Sequence, residues 1–125
     1  MIQDALRRLP NEACGILSGG KDLAENFFAM RNTDESPLSY LMDPQEQFHV
    51  MKHIRERKEE LLVIYHSHVA SPAYPSSKDV QLAFYPGVYY VLISLQDPSR
   101  PEVKAYRIRE GKVKEEPLKV VPEES

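Results

Sequence analysis

Two of the chain's four histidines, His66 and His68, stand two residues apart in LLVIYHSH, and seven residues further on come Ser76 and then Asp79. If LLVIYHSH is a strand, residues two apart share a face, so both imidazoles project together from its end. The loop through Pro72 and Pro75 then turns the chain back, and Ser76 to Phe84 reads as a helix with Asp79 in its first turn. A carboxylate swung against two imidazoles makes three protein ligands of the kinds zinc prefers, with one tetrahedral position left for water. An open fourth position marks a catalytic site rather than a structural one. Each part also has a plainer reading. Ser76-x-x-Asp79 before an apolar run is a capping box that needs no metal, and His-x-His alone is more often a surface strand or a satisfied core pair. Together, at this spacing, they favour the metal.

His66-Ser67-His68, seven residues, Ser76, two residues, Asp79 resembles the motif of the JAMM/MPN-plus zinc peptidases. That family also requires an upstream glutamate in a Pro-x-Glu-x-x-Gly setting, which Pro10, Glu12 and Gly15 supply. The resemblance runs from Leu9 to about Lys119, with one departure: Val69 stands where many relatives have proline. It implies one Zn2+ per chain on His66, His68 and Asp79, Glu12 as general base, and Ser76 as the hydrogen-bond donor to a developing oxyanion. It also implies that Asn32 and Tyr40 lie near the substrate channel. On their own, Glu12 reads as an edge carboxylate at a strand mouth, Asn32 as a turn residue and Tyr40 as a cover for core.

The resemblance further implies hydrolysis of a peptide or isopeptide bond after the C-terminal Gly-Gly of a ubiquitin-like protein. Deubiquitinating members carry two insertions around the site, whereas here Asp79 leads through one short helix into the next strand. The chain is therefore more similar to the compact prokaryotic members that process small sulfur-carrier proteins. A general deubiquitinase-like isopeptidase is the alternative within the same chemistry. A non-catalytic MPN scaffold is the alternative outside it, although such a domain should lack the glutamate or a metal ligand.

With 125 residues and a net charge of −3, the chain is expected to be one domain over 1–125, with a flexible tail at 119–125 and no basic stripe for nucleic acid. A single cysteine excludes an internal disulfide framework, and no apolar run has signal-peptide or membrane-span length, so a cytoplasmic protein is expected. A homodimer through the outward face of the first helix is left open. Several rival chemistries fail on particular residues. Zinc nucleoside deaminases need His-x-Glu and Pro-Cys-x-x-Cys, and neither occurs. Gly15 to Lys21 nearly spells a phosphate loop, but Asp22 replaces the Ser or Thr that must bind magnesium. Cys14 would need a histidine base, and the clustered histidines are better used as ligands, so it is expected in the core. His49 and His53 imitate a zincin pair but lack the intervening glutamate, and they read as solvated helix residues.

The elements that must position these residues follow from periodicity. Ile2, Ala5, Leu6 and Leu9 form the stripe of a short helix stopped by Pro10, and ACGILSGG and Leu23 to Met30 read as strands joined at Gly19-Gly20. Arg31 to Asp43 reads as a loop. Asp43-Pro44-Gln45-Glu46 starts a helix running to about Lys58, with Val50, Met51 and Ile54 inward. After the Ser76 helix, whose inward residues are Val80, Ala83 and Phe84 and whose stop is Pro86-Gly87, VYYVLISL reads as a central strand. Glu102 to Arg109 and Lys112 to Val120 form a hairpin around Glu110-Gly111. The sum is α/β, a mixed and largely antiparallel sheet flanked by helices, which matches the cytidine-deaminase-like architecture that the resemblance implies.

Overall fold

The structure is a computed structural model that describes residues 1–20, 23–36, 40–81, 83 and 87–117. In chain order the elements are α1 (Ile2–Arg7), β1 (Cys14–Gly20), β2 (Leu23–Met30), α2 (Pro44–Glu56), β3 (Glu60–His68), α3 (Ser77–Gln81), β4 (Tyr89–Ser94), β5 (Glu102–Arg109) and β6 (Lys112–Glu116). The six strands form one sheet in the order β2-β1-β3-β4-β5-β6. Among the described residues only β3 and β4 run parallel, and α3 lies in the crossover between them, so the sheet is mixed and largely antiparallel.

Side chains alternate across β3, and the two faces of the sheet meet different helices. Ile64 shares its face with Cys14, Ile16 and Leu92, and Ile54, Val50 and Met51 of α2 pack onto that layer. Val63 and Tyr65 share the other face with Val91 and Ile93, against which Ala5, Leu6 and Leu9 pack. Ile93 is wholly buried and Leu92 is 1 % exposed, so each contributes roughly 2 kcal/mol of apolar transfer. β4 is buried on both faces, as its unbroken apolar run requires.

The helix ends show where tertiary contacts overrule local pattern. Asp43 caps α2 by accepting from Gln45 N at 2.9 Å, but Glu46 does not close a capping box. Its carboxylate takes the amide of Arg31 at 2.8 Å, and Asp43 N donates to Arg31 O. α2 stops at Glu56 rather than near Lys58, because Lys58 turns left-handed (φ 56°) and Glu59 is drawn to Ser18 Oγ and Asn26 Nδ2 on the sheet. α3 is five residues, shorter than the helix read to Phe84. Val80 and Ala83 do pack on the core as expected. The β5–β6 hairpin turns through Glu110 (φ 51°) and Gly111 (φ 76°), the left-handed pair of a two-residue turn. β6 ends before Pro117, which has no amide for the ladder.

Gly19 and Gly20, expected to form the turn, instead continue β1 and pair with Ala24 and Leu23 of β2 after a register shift at Ser18. The expectations for Phe84 and Pro86 and for the tail at 119–125 lie outside the described residues. Among those described, no helix is long and apolar enough to cross a membrane.

Asp4, on the polar side of the α1 pattern, is buried instead of solvated. The Tyr65 hydroxyl donates to its carboxylate, and Arg8 reaches it at 3.4 Å while donating to Met30 O at 2.6 Å. A tyrosine inside an apolar strand needs such a partner for its hydroxyl.

Candidate active site

His66 and His68 leave the C-terminal end of β3 on the α2 face and are 2 % and 5 % exposed. Their Nε2 atoms are 3.2 Å apart, and Asp79 meets both: Oδ1 lies 3.1 Å from His66 Nε2, and Oδ2 lies 3.0 Å from His68 Nε2. Asp79 is carried here by a reciprocal cap at the start of α3. Asp79 N donates to Ser76 Oγ at 3.1 Å, and Ser76 N donates to Asp79 Oδ2 at 2.8 Å. The capping box and the cluster of three are therefore one arrangement.

The loop between β3 and α3 is held by three successive carbonyls. Ser94 Oγ donates to Ser71 O at 2.6 Å, His68 Nδ1 donates to Pro72 O at 2.9 Å, and the Tyr106 hydroxyl donates to Ala73 O. A side chain from β3, one from β4 and one from β5 thus fix the turn that delivers Ser76 and Asp79, with Val69 in the place of the usual proline.

Two imidazole nitrogens and a carboxylate converging this closely need something positive between them. Pro72 O can only accept, so Nδ1 of His68 carries its proton and Nε2 of the neutral ring presents a lone pair to Asp79. Shared protons or a cation can occupy that point. Tetrahedral zinc with bonds of about 2.0–2.1 Å separates its ligands by about 3.3 Å, close to the spacings seen here. The donor set, two imidazoles and a carboxylate within 4.8 Å of one another, is compatible with a metal site. Burial pulls His66 below the usual imidazole range against the opposing pull of Asp79. Burial also works against charge on His68, but hydrogen bonds to Asp79 and Pro72 outweigh it and its pKa is raised. Burial of Asp79 is likewise outweighed, by hydrogen bonds from both rings, and its carboxyl lies well below the ordinary range.

Glu12 precedes β1, whose first pair with β3 is Cys14 opposite His66. Continuing the alternation back from Cys14 puts Glu12 on the side of the imidazoles. Glu12 is 5 % exposed. Burial pushes its pKa up to about 7, with His68 pulling down and Asp79 adding to the rise, so it feels two of the three members of the cluster. Gly15 explains the spacing of this segment, because a Cβ there would meet Tyr65 Cε1 at 2.5 Å, Phe27 Cε1 at 2.8 Å and Phe28 O at 2.9 Å.

The other sequence-derived residues fall in distinct places. Tyr40 stacks on the His66 ring, with centroids 4.4 Å apart and planes at 23°. Asn32 is 4 % exposed, and its side chain serves backbone: Nδ2 donates to Glu12 O at 3.0 Å, while Oδ1 accepts from Asp34 N and Leu41 N. Ser76 is exposed, and with its oxygen accepting from Asp79 N it still has a proton to donate. Cys14 is fully buried, its thiol is pushed up to about 12 by burial, and its Sγ faces Met30 O, which fits the core role expected of it. His49 and His53 are exposed on α2, His53 resting edge-on against Phe28.

Sequence reasoning missed Ser67. It lies between the two imidazoles, points to the opposite face of β3, is wholly buried, and accepts from Ala13 N at 2.8 Å. A small hydroxyl on the β3 face otherwise formed by Val63 and Tyr65 was the available signal.

The model of the family described as prokaryotic homologs of the JAB domain matches residues 1–109. The CysO-cysteine peptidase of Mycobacterium tuberculosis is 46% identical over 123 residues, covering 97% of this chain and 84% of its own length. The probable TtuB-protein conjugate cleaving protease of Thermus thermophilus is 34% identical over 107 residues, covering 85% of this chain and 68% of its own. Among solved structures, a Desulfitobacterium hafniense protein superposes with a TM-score of 0.82 at 41% identity, over 93% of this chain and 82% of that one. With the fold, the convergent cluster and these likenesses in agreement, the chain belongs to the prokaryotic homologs of the JAB domain.

Proposed function

We propose that this protein is a zinc-dependent peptidase that cuts after the C-terminal Gly-Gly of a ubiquitin-like protein, with a small sulfur carrier as its substrate. The observation that carries the reading is the convergence of His66, His68 and Asp79 at 3.0–3.2 Å, with a buried Glu12 sensing the same charges. The substrate class draws on relatives whose activities are named for CysO-cysteine and for TtuB-protein conjugates. It also draws on the short path from α3 at Gln81 to β4 at Tyr89, which leaves no room for a large insertion.

His66, His68 and Asp79 would hold one zinc ion per chain. When bound, zinc supplies Lewis acidity, making water acidic enough to act as nucleophile near neutral pH and polarising the scissile carbonyl. Glu12 takes the proton of the attacking water and hands it to the leaving amine, a role that contributes roughly 10²–10⁴-fold. In the zinc-free protein burial raises its carboxyl above the ordinary range, which favours holding a proton between the two halves of that exchange. Ser76 donates its hydroxyl proton to the developing oxyanion. Tyr40 covers one face of His66, fixing the ring and keeping water from that side.

The test uses a ubiquitin-like carrier extended past Gly-Gly by one residue, and the same carrier joined to a lysine side chain. Each is incubated with zinc-loaded protein, with and without a chelator, and the products are weighed by mass spectrometry. Release of the mature carrier, abolished by the chelator, is expected. Intact substrates after incubation with loaded protein would overturn the reading.

A further inference from the structure

The peptide that joins Glu12 to Ala13 is held at both polar ends by side chains instead of a strand ladder. Its carbonyl accepts from Asn32 Nδ2 at 3.0 Å, and its amide donates to Ser67 Oγ at 2.8 Å. Neighbouring groups are pinned as well: Ser67 N donates to Ala13 O at 3.0 Å, and Glu12 N donates to Ser36 O at 2.8 Å. The ladder of β1 with β3 begins one residue later, at Cys14 opposite His66. Ala13 and Ser67 are wholly buried and Asn32 is 4 % exposed, so water cannot replace these partners.

Ser67 sits between His66 and His68 with its side chain on the other face of β3. One three-residue run therefore carries two imidazoles on one side and a latch for the Glu12 segment on the other. Asn32 closes the opposite end. With Oδ1 occupied by Asp34 N and Leu41 N, its amide can turn only its donor towards Glu12 O.

We propose that Ser67 and Asn32 are positioning residues for Glu12. They fix the peptide from which the carboxylate projects, so the strand that carries the imidazoles also sets where the base stands relative to them. A reacting group displaced by about 1 Å can lose on the order of 10²-fold in rate, which is the size of effect such a latch controls. The inference rests on the reading of Glu12 as general base.

Ser67→Ala removes the acceptor with little change of volume, and Ser67→Thr restores a hydroxyl at the same atom. Three readouts separate positioning from mere structure. In the zinc-free protein, exchange of the Ala13 amide should quicken by about tenfold or more in Ser67→Ala, as expected for a lost buried hydrogen bond, and return towards the parent in Ser67→Thr. Zinc content should stay at the parent's level. On the extended carrier, kcat should fall by about tenfold to a hundredfold with KM nearly unchanged, and Ser67→Ala added to Glu12→Gln should cost no further turnover.

Asn32→Asp, which loses the donor to Glu12 O and keeps the shape, should lower kcat similarly with zinc retained, and it carries the test if Ser67→Ala does not fold. Unchanged Ala13 exchange, parent-like kcat, loss of zinc together with activity, or an equal loss in the Glu12→Gln background would each overturn the latch. A fully active Glu12→Gln variant would overturn the base reading and the latch with it. Parent kcat in Ser67→Ala beside an inactive Glu12→Gln would overturn the latch alone.

Discussion

The Pro72 carbonyl accepts the Nδ1 proton of His68 at 2.9 Å, which determines the ring nitrogen that faces the Asp79 carboxylate. A turn held by Ser94 and Tyr106 therefore sets the tautomer of a side chain in the cluster. Backbone partners of this kind orient metal-binding imidazoles and leave the opposite nitrogen free to ligate.

Zinc uptake should depend on pH through that nitrogen. In the zinc-free protein the pKa of His68 is raised, so the proton must leave before the ring can ligate. Apparent affinity is expected to fall by about tenfold per pH unit once pH drops below that pKa, and calorimetry in buffers of different ionisation enthalpy should register the released proton. His66→Ala and Asp79→Asn should lose the metal, as read by elemental analysis of the dialysed protein. Stoichiometric zinc in either variant at neutral pH would count against the ligand set.

Glu12 is expected to trade stability for turnover. Its folded-state pKa, about 7, lies above the ordinary value of 4.5, so the fold disfavours the carboxylate. The penalty is absent below about pH 4.5 and fully present above about pH 7, where it reaches up to about 3 kcal/mol. Glu12→Gln should therefore raise the melting temperature of the zinc-free protein at pH 8 and change it little at pH 4. With zinc bound, the same variant should keep the metal and lose roughly 10²–10⁴-fold in kcat. Equal melting temperatures at pH 8 would show that the carboxylate is solvated rather than buried.

The Glu12 carboxylate was also the part of the candidate site that local spacing could not place. His66 and His68 share a face because strands alternate, and Ser76 and Asp79 meet because they are one helical turn apart; both facts are short-range. Glu12 reaches them through the β1–β3 register, which sets Cys14 opposite His66. No period in the sequence encodes that register, and only the family resemblance joined the glutamate to the histidines. The same limit explains Glu46, which completes a capping box in the sequence but spends its carboxylate on Arg31 across the loop. It explains Asp4 too, a polar helix residue until the hydroxyl of Tyr65 arrives from the sheet. Asn32, placed near the substrate channel by resemblance, spends its side chain on the backbone of Glu12, Asp34 and Leu41.

Ser76 has a capping role in the structure and a separable, proposed role in the chemistry. Its oxygen caps α3 by accepting from Asp79 N, and its proton is available for an oxyanion. Ser76→Ala should remove both, costing about 1 kcal/mol of stability for the cap and roughly 10²–10³-fold in kcat. Ser76→Asp keeps an acceptor for the Asp79 amide and removes the proton. It should stay near the parent in melting temperature at neutral pH while losing comparable turnover. Matching kcat values for the parent and Ser76→Asp would remove this serine from the chemistry.

Gly15 offers a test of the fold beneath the site. It pairs with Tyr65 on β3 and Ala29 on β2, at the point where the Tyr65 and Phe27 rings close over the strand. A methyl group there would stand 2.5 Å from Tyr65 Cε1, and its backbone neighbour, Phe28 O at 2.9 Å, cannot swing aside. Gly15→Ala should thus destabilise by about 1–3 kcal/mol, the usual cost of overpacking a filled site. Because Tyr65 immediately precedes His66 on β3 and pairs with Gly15 next to the Cys14–His66 pair, the strain should also disturb the β1–β3 register that brings Glu12 to the imidazoles. The expected signature is a lower denaturation midpoint together with a kcat loss larger than the loss of zinc. Phe27→Leu added to Gly15→Ala removes one of the two crowding rings and should recover part of the midpoint, whereas no recovery would place the strain on the Phe28 carbonyl instead.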